Sequence, residues 1–332
     1  MQIKEILESI INGVSLEKPQ AKELMLAIMS GEFDETQIAA LLVALRAKGE
    51  TVPEICGFVE AMRASMNTLN LDCEAIDLCG TGGDNSDTFN ISTTAAFVAA
   101  GAGLKVAKHG NRSISSKSGS ADVLQALGVT VDLQPDQIKE NIQHLGLGFI
   151  FAPLFHPAMK FVMPARKTLG IRTVFNLLGP LCNPCRVKRQ VVGVYSKQWV
   201  VPLAEVLAEL GAEHIIVVHG LNGMDEFSLS HPSLMAEWHQ NKMNVKEFDP
   251  QSIDLQLTEM SQVKGAGPDQ NAVITQSILH GEKGPRRDIV ILNAAAAIRT
   301  GLDTSWEDSI QLAARAIDEG AALNVLELLR GN

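Results

Sequence analysis

The sequence predicts an α/β protein, a small helical unit followed by a larger unit on a mostly parallel central sheet. Three observations carry that expectation. Residues 1 to about 68 show only helical periodicity, and from residue 75 short β-branched runs alternate with helical patterns. Such alternation is the mark of right-handed βαβ crossovers. Hydrophobic residues make up 46% of the chain and aromatics only 5%, so the core is Ala, Leu, Ile and Val, as in α/β packing. At 332 residues the chain exceeds a usual single core. The expected division is 1–70, helical, and 71–332, α/β.

The helical unit is clearly punctuated. Ile6, Leu7, Ile10 and Ile11 recur at helical spacing, as do Ala21, Leu24, Met25, Ile28 and Met29. Gly31 suits a C-terminal cap. Asp34 to Gln37 is a capping-box pattern ahead of Ile38, Leu41, Leu42 and Leu45. Gly49 ends that helix, and Thr51 opens the next with Pro53 in its first turn, where a missing N–H costs nothing. This unit carries no obvious chemistry.

In the second unit the expected strands are 75–78, 105–107, 149–151, 190–195 and 214–218, with a polar pair near 236–240 and 244–248. Ligands of parallel sheets gather at the carboxyl ends of strands. Three loops fall there. The first, 79–84, holds three glycines in four positions, then Asn90, Ser92 and Thr93 at a helix start. Without Cβ atoms the backbone can approach a ligand, and its N–H groups suit a phosphate. The second, 108–116 with Gly119 and Ser120 beyond, adds a lysine, an arginine and hydroxyls as charge-assisted donors. The third, 220–226, ends in Asp225 and Glu226. Each has a plainer alternative: an ordinary turn, a solvated polar loop, a surface acidic turn. Their shared rim favours one site for a ligand phosphorylated at both ends. There the carboxylate pair would hold magnesium, which is bound by one or two carboxylates plus substrate phosphates.

Arg166 suits a carboxylate substrate through its planar fork, or is an ordinary helix-surface arginine. His109 and His156 suit acid–base work, or are satisfied polar residues. No Gly-x-Ser-x-Gly elbow, HExxH or Walker A lysine pattern occurs. The chain reads as built for positioning and charge neutralisation.

The net charge of −10 argues against nucleic acid as a partner. Five scattered cysteines read as reduced thiols. Cys182 and Cys185 have a metal-like spacing, but no second CxxC completes a zinc site. Acidic residues interrupt the apolar positions from Glu5 onward, unlike a signal peptide. No apolar run is long enough for a membrane span. The expectation is a soluble, cytoplasmic protein.

In order along the chain, residues 80–84 (Gly-Thr-Gly-Gly-Asp), 90–93 (Asn-Ile-Ser-Thr) and 108–113 (Lys-His-Gly-Asn-Arg-Ser) resemble the anthranilate phosphoribosyltransferase family. So do 156–159 (His-Pro-Ala-Met) through Arg166, 172–181 (Arg-Thr-Val-Phe-Asn-Leu-Leu-Gly-Pro-Leu) and Asp225-Glu226, so that nearly the whole chain is covered. The resemblance implies transfer of the phosphoribosyl group of phosphoribosyl pyrophosphate (PRPP) to anthranilate, on the route to tryptophan. It implies a nucleoside phosphorylase/phosphoribosyltransferase-type fold, with about 165–185 contributing to the helical unit. PRPP would be held by Gly80, Gly83, Asp84, Thr88, Asn90, Ile91, Ser92, Thr93, Lys108, His109, Gly110, Asn111, Arg112, Ser113, Ile114, Ser115, Ser116 and Ser120. Anthranilate would touch Gly80, Asn111 and Arg166. Ser92, Asp225 and Glu226 would bind magnesium, two ions per subunit. A homodimer through the helical unit is implied, and association with anthranilate synthase components is a further expectation.

Asp87 departs from the family pattern, which often has glycine there. A carboxylate near pyrophosphate is unfavourable, so it is expected to face solvent or join an outer metal shell. Pyrimidine-nucleoside phosphorylases share the architecture but carry a Lys-Ser-Thr-Gly segment that is absent here. A nucleic-acid-binding relative is opposed by the charge of −10 and by the Asp225-Glu226 pair. A homologue using another aromatic amine stays open.

Overall fold

The computed structural model describes residues 3–113 and 117–331. Ile114, Ser115 and Ser116, expected in the second loop, lie outside the described residues. Four helices come first: α1 (Ile3–Ile11), α2 (Lys18–Ser30), α3 (Glu35–Lys48) and α4 (Val52–Ser65). Gly31 closes α2 in the left-handed conformation at φ 78. Asp34 accepts from the Gln37 amide while the Gln37 side chain bonds back. Glu54, fully buried, accepts from the Leu16 and Thr51 amides and pairs with Lys48 at 2.8 Å. These partners offset the cost of burying its charge.

The α/β part follows: β1 (Ile76–Gly80), α5 (Ile91–Gly101), β2 (Val106–Gly110), α6 (Ser120–Ala126), α7 (Pro135–Glu140), β3 (Leu147–Phe151) and α8 (Ala152–Phe155). Next come α9 (Met163–Leu169), α10 (Phe175–Leu181), β4 (Arg189–Gly193), α11 (Val200–Glu209), β5 (His214–Gly220), β6 (Ser233–His239) and β7 (Lys242–Phe248). Helices α12 (Pro268–Leu279), α13 (Pro285–Leu302), α14 (Trp306–Asp318) and α15 (Ala321–Arg330) complete the chain.

One sheet runs β3-β2-β1-β4-β5-β6-β7. β1 to β5 are parallel, and β6 and β7 add an antiparallel hairpin. The expected fold class is therefore the observed one. The hairpin turns through Gln240 and Asn241, both at positive φ (51 and 58), the geometry of a tight type I′ connection. Two strands run further than their apolar residues suggested. β1 ends at Gly80, and β2 carries Lys108, His109 and Gly110 inside the strand, so the second loop begins only at Asn111.

One apolar layer joins the sheet to α5, α13, α14 and α15. Helix α5 is apolar nearly all round because it is covered on every side. The other layer joins β4, β5 and α11 to α1–α4, with Val162, Ala165, Phe175, Leu178 and Leu181 in the same cluster. Strand connections lead outward to β2 and β3 on one side of β1 and to β5 on the other side of β4. The crevice at the carboxyl ends of β1 and β4 is thus a topological switch point, the favoured ligand position of open α/β sheets. Gly80 and Gly193 pair across it.

Candidate active site

A cavity of about 370 Å³ opens at this switch point. The loop after β1 lines one wall, with Gly82, Gly83, Asn85 and Asp87 all at positive φ. That run of left-handed residues turns the backbone back over the strand end. Ser86 N–H and Asp225 N–H both donate to Asp84, at 3.1 and 3.3 Å. Asp225 in turn accepts from the Gly82 amide at 2.6 Å, and Glu226 accepts from the Ser92 amide at 2.9 Å, the start of α5.

Three carboxylates, Asp84, Asp225 and Glu226, therefore crowd one corner. Burial, then Asp84, pushes the Asp225 carboxyl up to about 7. Burial, then Asp225 and Asp84, pushes Glu226 well above the usual range. The Glu226 Oε2 atom is buried without a hydrogen-bond partner among the described residues. Hard oxygen donors in this density, one of them unsatisfied, fit a divalent cation such as magnesium. Glu226 and Asp225 are the residues that would hold such an ion, with Asp84 beside them. Ser92 reaches the cluster through its backbone amide.

The second loop is organised by Asp122, which accepts from the Ser113 and Gly119 amides and pairs with Arg112 at 3.0 Å. Asn90 bridges the loops, its amide donating to Ser118 O at 3.1 Å and its Oδ1 accepting from the Ser118 hydroxyl. Gly80, Gly83, Asp84, Thr88, Asn90, Ile91, Ser92, Gly110, Asn111, Arg112, Ser113 and Ser120 all line the cavity. Thr93 sits behind the wall, buried, with its hydroxyl donating to Ser120.

One expectation needs correction. Lys108 lies in the floor: it is buried and its Nζ donates to Leu78 O at 2.8 Å. Burial lowers its pKa against the opposing pull of Asp77, Cys79 and Glu226. It stands in strand β2 beneath the loop, where a donor within the loop was expected, and still lines the cavity. His109 and His156 face each other, Nε2 to Nε2, at 3.2 Å. Burial pushes them down to about 3 and about 4, so both are neutral at pH 7 and act as packed walls.

Arg166, on α9, lines the same cavity. Its guanidinium lies 5.5 Å from the Phe175 ring centre and has no carboxylate partner among the described residues. Burial alone lowers its pKa. A half-buried, unpaired guanidinium facing a cavity is a receptor for an anion.

Asp87, expected toward solvent or a metal, pairs across the cleft with Lys117 at 3.4 Å, both half-exposed. Its carbonyl accepts from Gly265 at 2.8 Å. Its φ of 54 explains why glycine suits the position. Cys182 and Cys185 are free thiols with burial-raised pKa values, each about 12. Among the described residues no helix is long and apolar enough to cross a membrane.

The Glycosyl transferase family a/b domain matches residues 72–323, and the family's helical bundle domain matches 4–66. The chain is 47% identical over 321 residues to an anthranilate phosphoribosyltransferase of Bradyrhizobium diazoefficiens, covering 96% of this chain and 95% of that one. It belongs to the anthranilate phosphoribosyltransferase family. The crystal structure of the Thermus thermophilus member is 42% identical, with 98% of each chain covered and a TM-score of 0.93. A Saccharomyces cerevisiae member, in complex with PRPP and Mg, is 29% identical over 99% of this chain and 97% of its own, with a TM-score of 0.91.

Within this member of the family, three residues of the site escape sequence reasoning. Asp84 reads as part of the phosphate loop, yet its carboxylate joins the metal corner. Lys117 faces Asp87 from the second loop. Arg172 lies over the Tyr195 ring at 4.5 Å and donates to Gly83 O, tying the approach to α10 to the glycine loop. Asp84 and Arg172 stand inside the family motifs; nothing short of the fold places Lys117.

Proposed function

We propose that this chain transfers the 5-phosphoribosyl group of PRPP to the amine of anthranilate, releasing pyrophosphate, a step toward tryptophan. The observation that carries this reading is the pairing, in one cavity, of the crowded Asp84–Asp225–Glu226 corner with the unpaired Arg166. Breaking the bond from ribose C1 to pyrophosphate leaves positive charge on the sugar and negative charge on the leaving group. The N–H groups of the β1 and β2 loops stabilise the latter, and Lys108 lends charge from below. Magnesium, when bound at Asp225 and Glu226, neutralises the departing diphosphate. Two ions per subunit suit three carboxylates.

Arg166 anchors the anthranilate carboxylate and so aims the amine at C1. Asn111, on the cavity wall, faces the same substrate. The aromatic amine already has its lone pair at neutral pH, so the neutral His109 and His156 need take no proton in the attack. A homodimer through the helical unit would cover the exposed Ile11, Val14, Leu26 and Val43.

Loss of anthranilate fluorescence in the presence of PRPP and magnesium tests the reaction. Wild type should show it, and the variant Asp225→Asn/Glu226→Gln should lose it. No fluorescence change with wild-type protein overturns the activity. Equal rates for the two proteins overturn the metal role.

A further inference from the structure

A second cavity, of about 310 Å³, lies between the C-terminal half of α12, the turn after it and the first turn of α13. The chain that lines it at Ser261 and Gln262 goes on to line the active-site cavity at Gly265 and Ala266. Three cations, Lys283, Arg286 and Arg287, face it against one carboxylate, Glu282, in a protein of net charge −10. Arg287 is only 7% exposed, and its Nε has no partner. Its Nη2 shares a single oxygen of Asp318 with Lys283, at 2.8 and 2.7 Å. The nearby Asp288 carries a raised pKa. Arg286 makes one bond, to the Lys264 carbonyl at 3.2 Å. The 18-residue α13 begins here, with Gly284 as N-cap at φ 130, a backbone conformation open to glycine.

We propose that this cavity binds a small phosphate monoester. Forked guanidinium donors and a helix N-terminus match a tetrahedral dianion with several acceptor oxygens. The Arg287 Nε, sealed just behind the cavity wall, has no partner among the described residues, so the guanidinium that lines the cavity keeps donor capacity beyond its bond to Asp318. Ile274 and Ile278 form an apolar wall for the organic part of the ester, and the volume exceeds what inorganic phosphate fills.

Calorimetric titration without divalent cations, using phenyl phosphate and inorganic phosphate as probes, tests the assignment. Wild type should bind one equivalent of phenyl phosphate that Lys283→Ala/Arg286→Ala loses or binds at least tenfold more weakly. Inorganic phosphate should bind the same site more weakly. Both substitutions fall on exposed side chains, so the fold is retained. Superimposable isotherms for the two proteins overturn the proposal. Wild-type crystals soaked in tungstate should place an anion in this cavity, within reach of Arg286 and the Arg287 guanidinium. Tungstate confined to the active-site cavity overturns it equally.

Discussion

Asp225 accepts a hydrogen bond from the Gly82 amide at 2.6 Å because Gly80, two residues earlier, has no side chain in the way. A Cβ on Gly80 would collide with the Asp225 Oδ2 atom, and one on Gly193 would overlap the Asp225 carbonyl oxygen outright. The pair of glycines at the ends of β1 and β4 is what lets the third loop fold over the switch point.

The two glycines should respond differently to substitution. In Gly80→Ala the clash is with the end of a side chain, which can swing away. The fold survives, and the carboxylate leaves the metal corner. Activity should then fall by two orders of magnitude or more with little change in unfolding midpoint. In Gly193→Ala the clash is with backbone that cannot yield, so stability should fall by about 1–3 kcal/mol or more. Paired denaturant titrations and fluorescence assays check both. Equal stability loss in the two variants would contradict the distinction.

Arg166 offers a sharper test of substrate orientation. A charge-assisted hydrogen bond to an ionised partner contributes roughly 1.5–3 kcal/mol, so Arg166→Ala should raise the anthranilate KM by about ten- to a hundredfold. The PRPP KM should stay within about threefold, because Arg166 stands on α9, outside the three strand-end loops. Arg166→Lys should fall between the two, keeping charge but losing the fork. Aniline, which lacks the carboxylate, should be used equally poorly by wild type and Arg166→Ala. A large aniline difference would assign the arginine to something other than the carboxylate.

Asp87 gives a third prediction. Its carboxylate meets Lys117 at 3.4 Å. Asp87→Gly relieves a left-handed backbone but adds freedom to the unfolded chain, two effects of similar size, near 1 kcal/mol each. Stability should therefore change by less than about 1 kcal/mol. The magnesium concentration for half-maximal rate should move less than about twofold, since an exposed ion pair is worth little. A tenfold shift would place Asp87 in the metal's hydration shell after all.

The alternation of strands and helices is legible because apolar periodicity is local, and capping residues such as Asp34 and Gly31 announce their helix ends. The loops at 79–84 and 220–226 are legible because glycine and paired carboxylates are conspicuous. What stays hidden is nonlocal. Lys108 and His109 read as loop because they are polar, yet they are strand residues whose burial is compensated by Leu78 O, 30 residues away, and by His156, 47 away. The meeting of Asp84 with the Asp225 amide spans 141 residues and follows only from strand order. Asp87 looks like a misplaced charge until Lys117 is seen opposite it.

The amino ends of β4 and β5, across the sheet from the cavity, predict how the protein meets acid. His214 lies between Asp303 at 2.7 Å and Glu237 at 2.9 Å, and stacks on His239 with ring centres 4.0 Å apart. Arg189 holds Asp303 and Arg299 holds Glu237, which ties β4, β5 and β6 to the end of α13. Burial would raise the Glu237 carboxyl, but the hydrogen bonds from His214 and Arg299 outweigh it and hold the group at about 2. Asp303 is likewise held at about 2, chiefly by Arg189. A depressed folded-state pKa stabilises fully above the unfolded value, and that contribution fades as pH falls through the window toward the folded one. For Glu237 the window runs from 4.5 to about 2. Glu237→Gln should thus destabilise the protein by a constant amount above about pH 5, with the gap from wild type narrowing steadily below that. Urea titrations from pH 7 down to pH 3 read the difference directly. A gap that stays constant to pH 3 would show that Glu237 acts there by packing, with its charge playing no part.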